Sequence, residues 1–188
     1  MSPARTKCVS RVRAVVVGGL LLHAFMVDQV VTDLNIALRQ PAFMNTFWNR
    51  AKFFATNGND GDKTTIFHTN RAVPTWWGID FGLENQLVTM VNVTNRRDNV
   101  WYTRVKGFII GLTNDDPNKG KGPLGNDFRL CASRTERMDN GETISLSCTD
   151  QQNTRGRYLF IVANTTDTIF HLAEVEVFTG RLLNMEFL

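Results

Sequence analysis

Eight short runs rich in β-branched and aromatic residues recur between residues 52 and 178: KFFATN, WWGIDFG, QLVTMVNVTN, VKGFIIGL, DFRLCAS, TISLSC, RYLFIVANT and FHLAEVEVF. The loops between them, such as TNGNDGD and NDDPNKGKGPLGND, are loaded with the Gly, Asn, Asp and Pro that make turns. Strand-like runs at this spacing predict an all-β sandwich. Period-two alternation is clearest in the last run, where Ala173, Val175 and Val177 share one face and Leu172, Glu174, Glu176 and Phe178 the other. No stretch demands a helix, and there is no internal repeat. At 188 residues the chain is long enough for one well-buried domain and short for two.

The first 27 residues stand apart from this pattern. Arg5, Lys7, Arg11 and Arg13 precede an apolar run from Ala14 to Val27, AVVVGGLLLHAFMV. That run falls short of the roughly 20 apolar residues that span a bilayer, and it predicts a secretory signal peptide over 1–27, with cleavage between 24 and 33. The whole chain carries 21 Lys/Arg against 18 Asp/Glu. The leader holds four of the basic residues and none of the acidic ones, which leaves 17 against 18. A near-neutral mature chain without a basic run lacks the electrostatic footprint of a nucleic-acid binder. Cys8 leaves with the leader, and Cys131 and Cys148 remain as an even pair in a chain bound for an oxidising compartment. A disulfide is predicted, closing a loop worth about 3 kcal/mol. Asn92-Val-Thr94 and Asn164-Thr-Thr166 are N-glycosylation acceptors. Residues 181–188 form a tail with no assignable role.

The chemistry concentrates between His68 and Arg104. His68 is expected on a loop after a Gly/Asp turn, and Arg96, Asp98 and Arg104 fall just after a strand, with Trp101 among them. Arginines and a histidine offer directed hydrogen bonds to neighbouring hydroxyls, a carboxylate holds an arginine in place, and aromatics cover the apolar face of a sugar ring. The competing account is a surface ion pair and a core histidine. Asn57, Asp60 and Asp62 in TNGNDGD supply clustered oxygens of the kind a hard cation prefers, although the loop does not fit the EF-hand pattern and an ordinary Asn/Gly/Asp turn would look the same. Gly120, Gly122 and Gly125 spell G-x-G-x-x-G, but they lead into FRLCAS rather than a helix, so no phosphate loop follows. Outside the leader the histidines are His68 and His171. With them there is no G-x-S-x-G elbow and no pair of facing carboxylates to name, which disfavours a hydrolytic enzyme.

Taken in order, LNIALRQPA, ATNGNDGD, FHT, WWGIDFG, VNVTNRRD, RVKGFIIG, Cys131 to Cys148, GRYLFIV and LAEVEVF resemble an F-type, fucose-binding lectin over residues 34–180. The resemblance implies a single discoidin-like jelly-roll β-sandwich that binds L-fucose in a shallow pocket and holds a structural calcium ion. His68, Arg96 and Arg104 would grip the ring oxygen and hydroxyls, with Asp98 orienting the arginines. Each motif interval is one residue longer than in the family's signature: 27 residues separate His68 from Arg96, and five separate Asp98 from Arg104. The vicinal cysteine pair of many members is replaced by Asn99, Val100 and Trp101, and Trp101 or Val100 would supply its apolar contact. A second family disulfide is lost at both ends together, at Ile66 or Phe67 and at Ala173. The calcium ligands would map to Asn57, Asp60, Asp62, a hydroxyl of Thr64 or Thr65, and Glu174. The implied protein is secreted, non-catalytic, directed at fucosylated glycans and open to homo-oligomer formation. The alternative is a discoidin-like adhesion domain that binds protein or membrane and has a degenerate sugar site.

Overall fold

The computed structural model describes residues 34–117, 123–125, 127–150, 154–163 and 169–180. The leader with its cleavage region, Asn164 and the tail 181–188 lie outside them. The described residues form twelve strands: β1 Ala42–Met44, β2 Phe67–His68, β3 Trp76–Asp80, β4 Gln86–Leu87, β5 Met90–Thr94, β6 Phe108–Thr113, β7 Arg129–Arg134, β8 Thr143–Ser147, β9 Arg155–Gly156, β10 Tyr158–Ala163, β11 His171–Leu172 and β12 Glu174–Phe178. A five-stranded sheet in the order β1-β3-β10-β6-β7 faces a three-stranded sheet in the order β12-β5-β8, and β2-β11 and β4-β9 form two small pairs. The pairings are antiparallel, as in a discoidin-like β-sandwich.

Alternation decides which side chains meet between the sheets. Trp77 and Ile79 of β3, Ile110 and Leu112 of β6, and Leu159 and Ile161 of β10 point inward against Val91 and Val93 of β5 and Val175 and Val177 of β12. The opposite face of β10 is also buried, because Tyr158, Phe160 and Val162 lie under Phe43, Trp76, Ile109 and Phe128. Each residue of the WW pair therefore serves a different face. Phe128 lies directly over Gly111, where an added Cβ would come within 2.2 Å of its ring.

Cys131 and Cys148 are joined by a disulfide that ties β7 in one sheet to the end of β8 in the other. The predicted runs depart from the observed strands at three places. KFFATN is not a strand: Ala55–Gly58 form a 3-10 turn, held by the Trp77 indole, which donates to the Ala55 carbonyl at 2.8 Å. QLVTMVNVTN breaks into β4 and β5, and FHLAEVEVF into β11 and β12, with Ala173 in the bend between the last two. These two breaks let one continuous run serve two different sheets.

Candidate functional site

His68, expected on a loop, lies instead in β2, and the short β2-β11 pair sets it opposite His171 in register. Their rings stack at 5.5 Å with 17° between planes. The nitrogen Nδ1 of His68 lies 2.8 Å from the Thr69 carbonyl, which can only accept, so Nδ1 carries the proton and the neutral ring presents Nε2 as an acceptor. Burial lowers the His68 pKa below the ordinary histidine value; the Thr69 carbonyl opposes this, and Arg96 and Arg104 reinforce it. Phe53 and Trp48 flank the ring at 5.2 and 5.7 Å. Trp48 also donates its backbone N–H to the His68 carbonyl at 3.1 Å, and its side chain is 58% exposed.

The second half of the site is the turn after β5. Asp98 Oδ1 accepts from the backbone N–H groups of Val100, Trp101 and Tyr102 at 2.9, 2.6 and 3.3 Å, which starts the 3-10 turn Trp101–Arg104. Its other oxygen pairs with Nε of Arg96. Burial works against the Asp98 charge, but the N–H groups of Val100 and Trp101, then Arg96 and the Tyr102 N–H, hold its pKa below the usual carboxylate value. Asn95 braces the turn from behind. Its side-chain amide donates to the carbonyls of Tyr102, Met138 and Asp139 at 3.1, 3.3 and 3.0 Å, while its oxygen accepts from the Arg96 N–H. The Arg104 guanidinium lies 3.9 Å over the Trp101 ring, which stays 48% exposed. Burial, then Arg96 and Arg71, lower the Arg104 pKa.

The two halves adjoin: Phe53, which flanks His68, and Arg96 line one cleft, and the charges of Arg96 and Arg104 bear on both imidazoles. The structure therefore brings together His68, Arg96, Asp98, Arg104 and Trp101, which the sequence nominates, and adds Trp48, Phe53 and His171. His171 is fully buried, neither ring nitrogen has a hydrogen-bond partner among the described residues, and burial followed by Arg96 and His68 holds its pKa well below the ordinary histidine value. Its sequence signal was weak: it stands 103 positions from His68, and only strand pairing brings them together. Chemically, the site offers a neutral acceptor, guanidinium donors and exposed indole faces, the set that a polyhydroxylated ring with one apolar face requires.

Beside it lies a cluster of oxygens. The Thr65 hydroxyl sits 2.8 Å from Asp60 Oδ2, 3.0 Å from the Asp62 carbonyl and 3.4 Å from the Asn57 carbonyl, so one proton serves three acceptors. The Asn57 side chain turns its amide to the Ile66 carbonyl, and Thr64 gives both its N–H and its hydroxyl to Asp62 Oδ1. Glu174, 1% exposed at the start of β12, accepts from the Gly61 N–H with Oε2, while Oε1 is buried without a hydrogen-bond partner among the described residues. Burial pushes its pKa up to about 7; the Gly61 N–H opposes this, and Asp60 and Glu176 add to it. No three His, Cys, Asp or Glu side chains converge on a metal position among the described residues. A hard cation here would draw on carbonyls and a hydroxyl besides the carboxylates of Asp60 and Glu174, as calcium does, and it would satisfy the orphaned Glu174 oxygen. The sequence overlooked Asn59, whose buried amide donates to the carbonyls of Ala37 and Gln40 at 2.7 and 2.9 Å and anchors this loop. Asn92, the described glycosylation acceptor, is half-buried at the middle of β5, between β12 and β8, so a glycan on it would rise from a sheet rather than a loop.

A family model described as the NedA-like, galactose-binding domain matches residues 57–161, more than half of the chain. Among solved structures, the lectin domain of lectinolysin complexed with Lewis B antigen is 25% identical, with 79% of this chain and 98% of that one covered at a TM-score of 0.61. The fucolectin from striped bass (Morone saxatilis) serum is 26% identical at a TM-score of 0.65, covering 79% of this chain and 48% of the bass chain. A fucose binding module of Streptococcus pneumoniae shares the fold at 24% identity and a TM-score of 0.60, with 79% and 96% covered. No curated protein matches the chain.

Proposed function

We propose that this chain, which belongs to the NedA-like, galactose-binding domain family and is similar in structure to two lectins, is a secreted, calcium-stabilised lectin that binds L-fucose-containing glycans without catalysis. The observation that carries this reading is a neutral His68 acceptor, flanked by the exposed Trp48, in a site it shares with Arg96 and with Arg104 stacked on the exposed Trp101. A sugar hydroxyl that donates to His68 Nε2 can accept from an arginine, and such charge-assisted bonds select a hydroxyl's direction. The C6 methyl of fucose, a 6-deoxy sugar, gives it an apolar corner suited to an indole face. Fucose is favoured over other sugars by the name of the bass fucolectin and by the His68, Arg96, Asp98 and Arg104 motif. Asp98 is held ionised and occupied by Arg96 and three N–H groups, which leaves it unable to supply a proton to a glycosidic oxygen. Calcium, when bound, contributes charge that ties the 57–65 loop to β12, with Asp60, Thr65 and Glu174 as its side-chain ligands and Asn57 and Asp62 offering carbonyls.

The test is capture of a fucosylated glycoprotein on a surface before and after α-L-fucosidase treatment. Binding that disappears with the fucose is the expected result. Binding indifferent to fucosidase would shift the reading to a discoidin-like adhesion domain.

A further inference from the structure

We infer that a basic cleft adjoining the His68 site takes an anionic group, a sulfate ester or a carboxylate, on the sugar next to the fucose of the same glycan. The inference rests on the lectin reading for its first sugar. The cleft encloses about 560 Å³, within the range of about 300–1,000 Å³ typical of small-ligand sites. Lys52, Lys63, Arg96 and Arg97 line it, and no carboxylate does so among its described lining residues. It is continuous with the sugar site because Phe53 and Arg96 belong to both: Phe53 lines the cleft and lies 5.2 Å from the His68 ring.

Two of the four cations are already engaged, Arg96 with Asp98 and Lys63 with Glu176 at 3.6 Å. Lys52 and Arg97 have no carboxylate partner among the described residues; Lys52 lies 5.4 Å over the Phe53 ring. Arg97 occupies space that a side chain at position 141 would take, since a Cβ on Gly141 would stand 2.8 Å from its Nε, and the φ of 65° there suits glycine. Thr94 and Thr143, hydrogen-bonded to each other at 2.9 Å, add hydroxyls to the wall. A guanidinium fork and an ammonium flanking polar hydroxyls recognise a compact oxyanion better than a neutral hydroxyl. A purely solvated basic rim would have no reason to share two residues with the sugar site.

Three probes distinguish the sources: a neutral fucosylated trisaccharide, the same trisaccharide with a sulfate ester on the sugar next to fucose, and its counterpart with a sialic acid carboxylate in that place. Each is titrated calorimetrically into wild type and into the Lys52→Gln/Arg97→Gln double variant. The sulfated or the carboxylated probe should bind about three- to tenfold more tightly than the neutral one at low salt, the scale of two partly exposed ion pairs. That advantage should vanish in the double variant and in ~1 M salt, where the screening length is only about 3 Å; neutral binding should be unchanged in the variant. Neutral binding with no gain for either acidic probe, or a gain that survives the double variant, overturns the cleft and leaves the lectin reading intact. Acidic binding that depends on Lys52 and Arg97 without neutral binding keeps the cleft and overturns fucose as the first sugar. Absence of binding by all three overturns both.

Discussion

His68 illustrates how one hydrogen bond sets a residue's chemistry: the Thr69 carbonyl fixes its proton on Nδ1 and leaves an acceptor for the ligand. Arg104 is fixed differently, by stacking on Trp101. Arg104→Ala should weaken fucose binding by about 1.5–3 kcal/mol, the range for hydrogen bonds to charged groups, as read by calorimetry, with the unfolding temperature nearly unchanged. Trp101→Ala should alter the glycan-array profile while the fold stays intact; an array identical to wild type would exclude the indole from the site. The two stacked imidazoles also make a pH prediction. Their folded pKa values lie below that of the unfolded chain, near 6.5, so each imidazole takes up its proton at a lower pH in the fold than in the unfolded chain. Above pH 6.5 both states are neutral and nothing is lost; as pH falls below 6.5 the unfolded chain takes up protons that the fold refuses, and stability declines. Thermal melts between pH 7.5 and 5 should show that decline, and His171→Gln should reduce its slope. An equal slope in the variant would contradict the assignment. Arg96, Asp98 and Arg104 could be picked out together because they fall within one turn of the chain, whereas His68 was joined to them only by residue chemistry and the family resemblance. Trp48 and His171 were not legible, since they arrive through a backbone contact to His68 and through the β2-β11 register.

At the scale of elements, the 57–65 loop and β12 share a buried, partly orphaned carboxylate, and this makes the cation proposal testable. Chelation with excess EDTA should lower the melting temperature and weaken sugar binding, because an ion held only by the folded state adds stability by mass action. Glu174→Gln should melt at a temperature less sensitive to calcium, and in chelator it should melt above wild type, since it removes the cost of ionising a buried carboxylate whose pKa burial pushes up to about 7. A wild-type melt unchanged by chelator would rule the ion out. The alternation in EVEV announced which face of β12 goes inward. The 3-10 turn at Ala55–Gly58 was hidden by the aromatic content of KFFATN: Phe53 faces His68, and the turn is held by a tertiary bond from Trp77 that no local propensity encodes. β1 escaped notice because three residues at a sheet edge carry too little pattern to distinguish from a loop.

At the scale of the molecule, the two sheets and the Cys131–Cys148 bridge form the frame, and the proposed sugar site is assembled from short connecting pieces beside it: the β2-β11 pair, the turn after β5 and the loop carrying Trp48. A site made of a few directed hydrogen bonds and two exposed rings recovers modest net energy after polar groups are desolvated, so free fucose should bind with a Kd on the order of 0.1–1 mM, and tight attachment should come from clustering. The most direct measurement is a residue-resolved NMR titration of the protein with L-fucose, with D-galactose as comparator. Saturable shifts at the His68 ring, the Arg96 and Arg104 guanidiniums and the Trp101 indole, in that affinity range and stronger for L-fucose, are the predicted result. Absence of shifts at ~10 mM L-fucose, well above the predicted Kd, or shifts confined to residues away from these four, would contradict it.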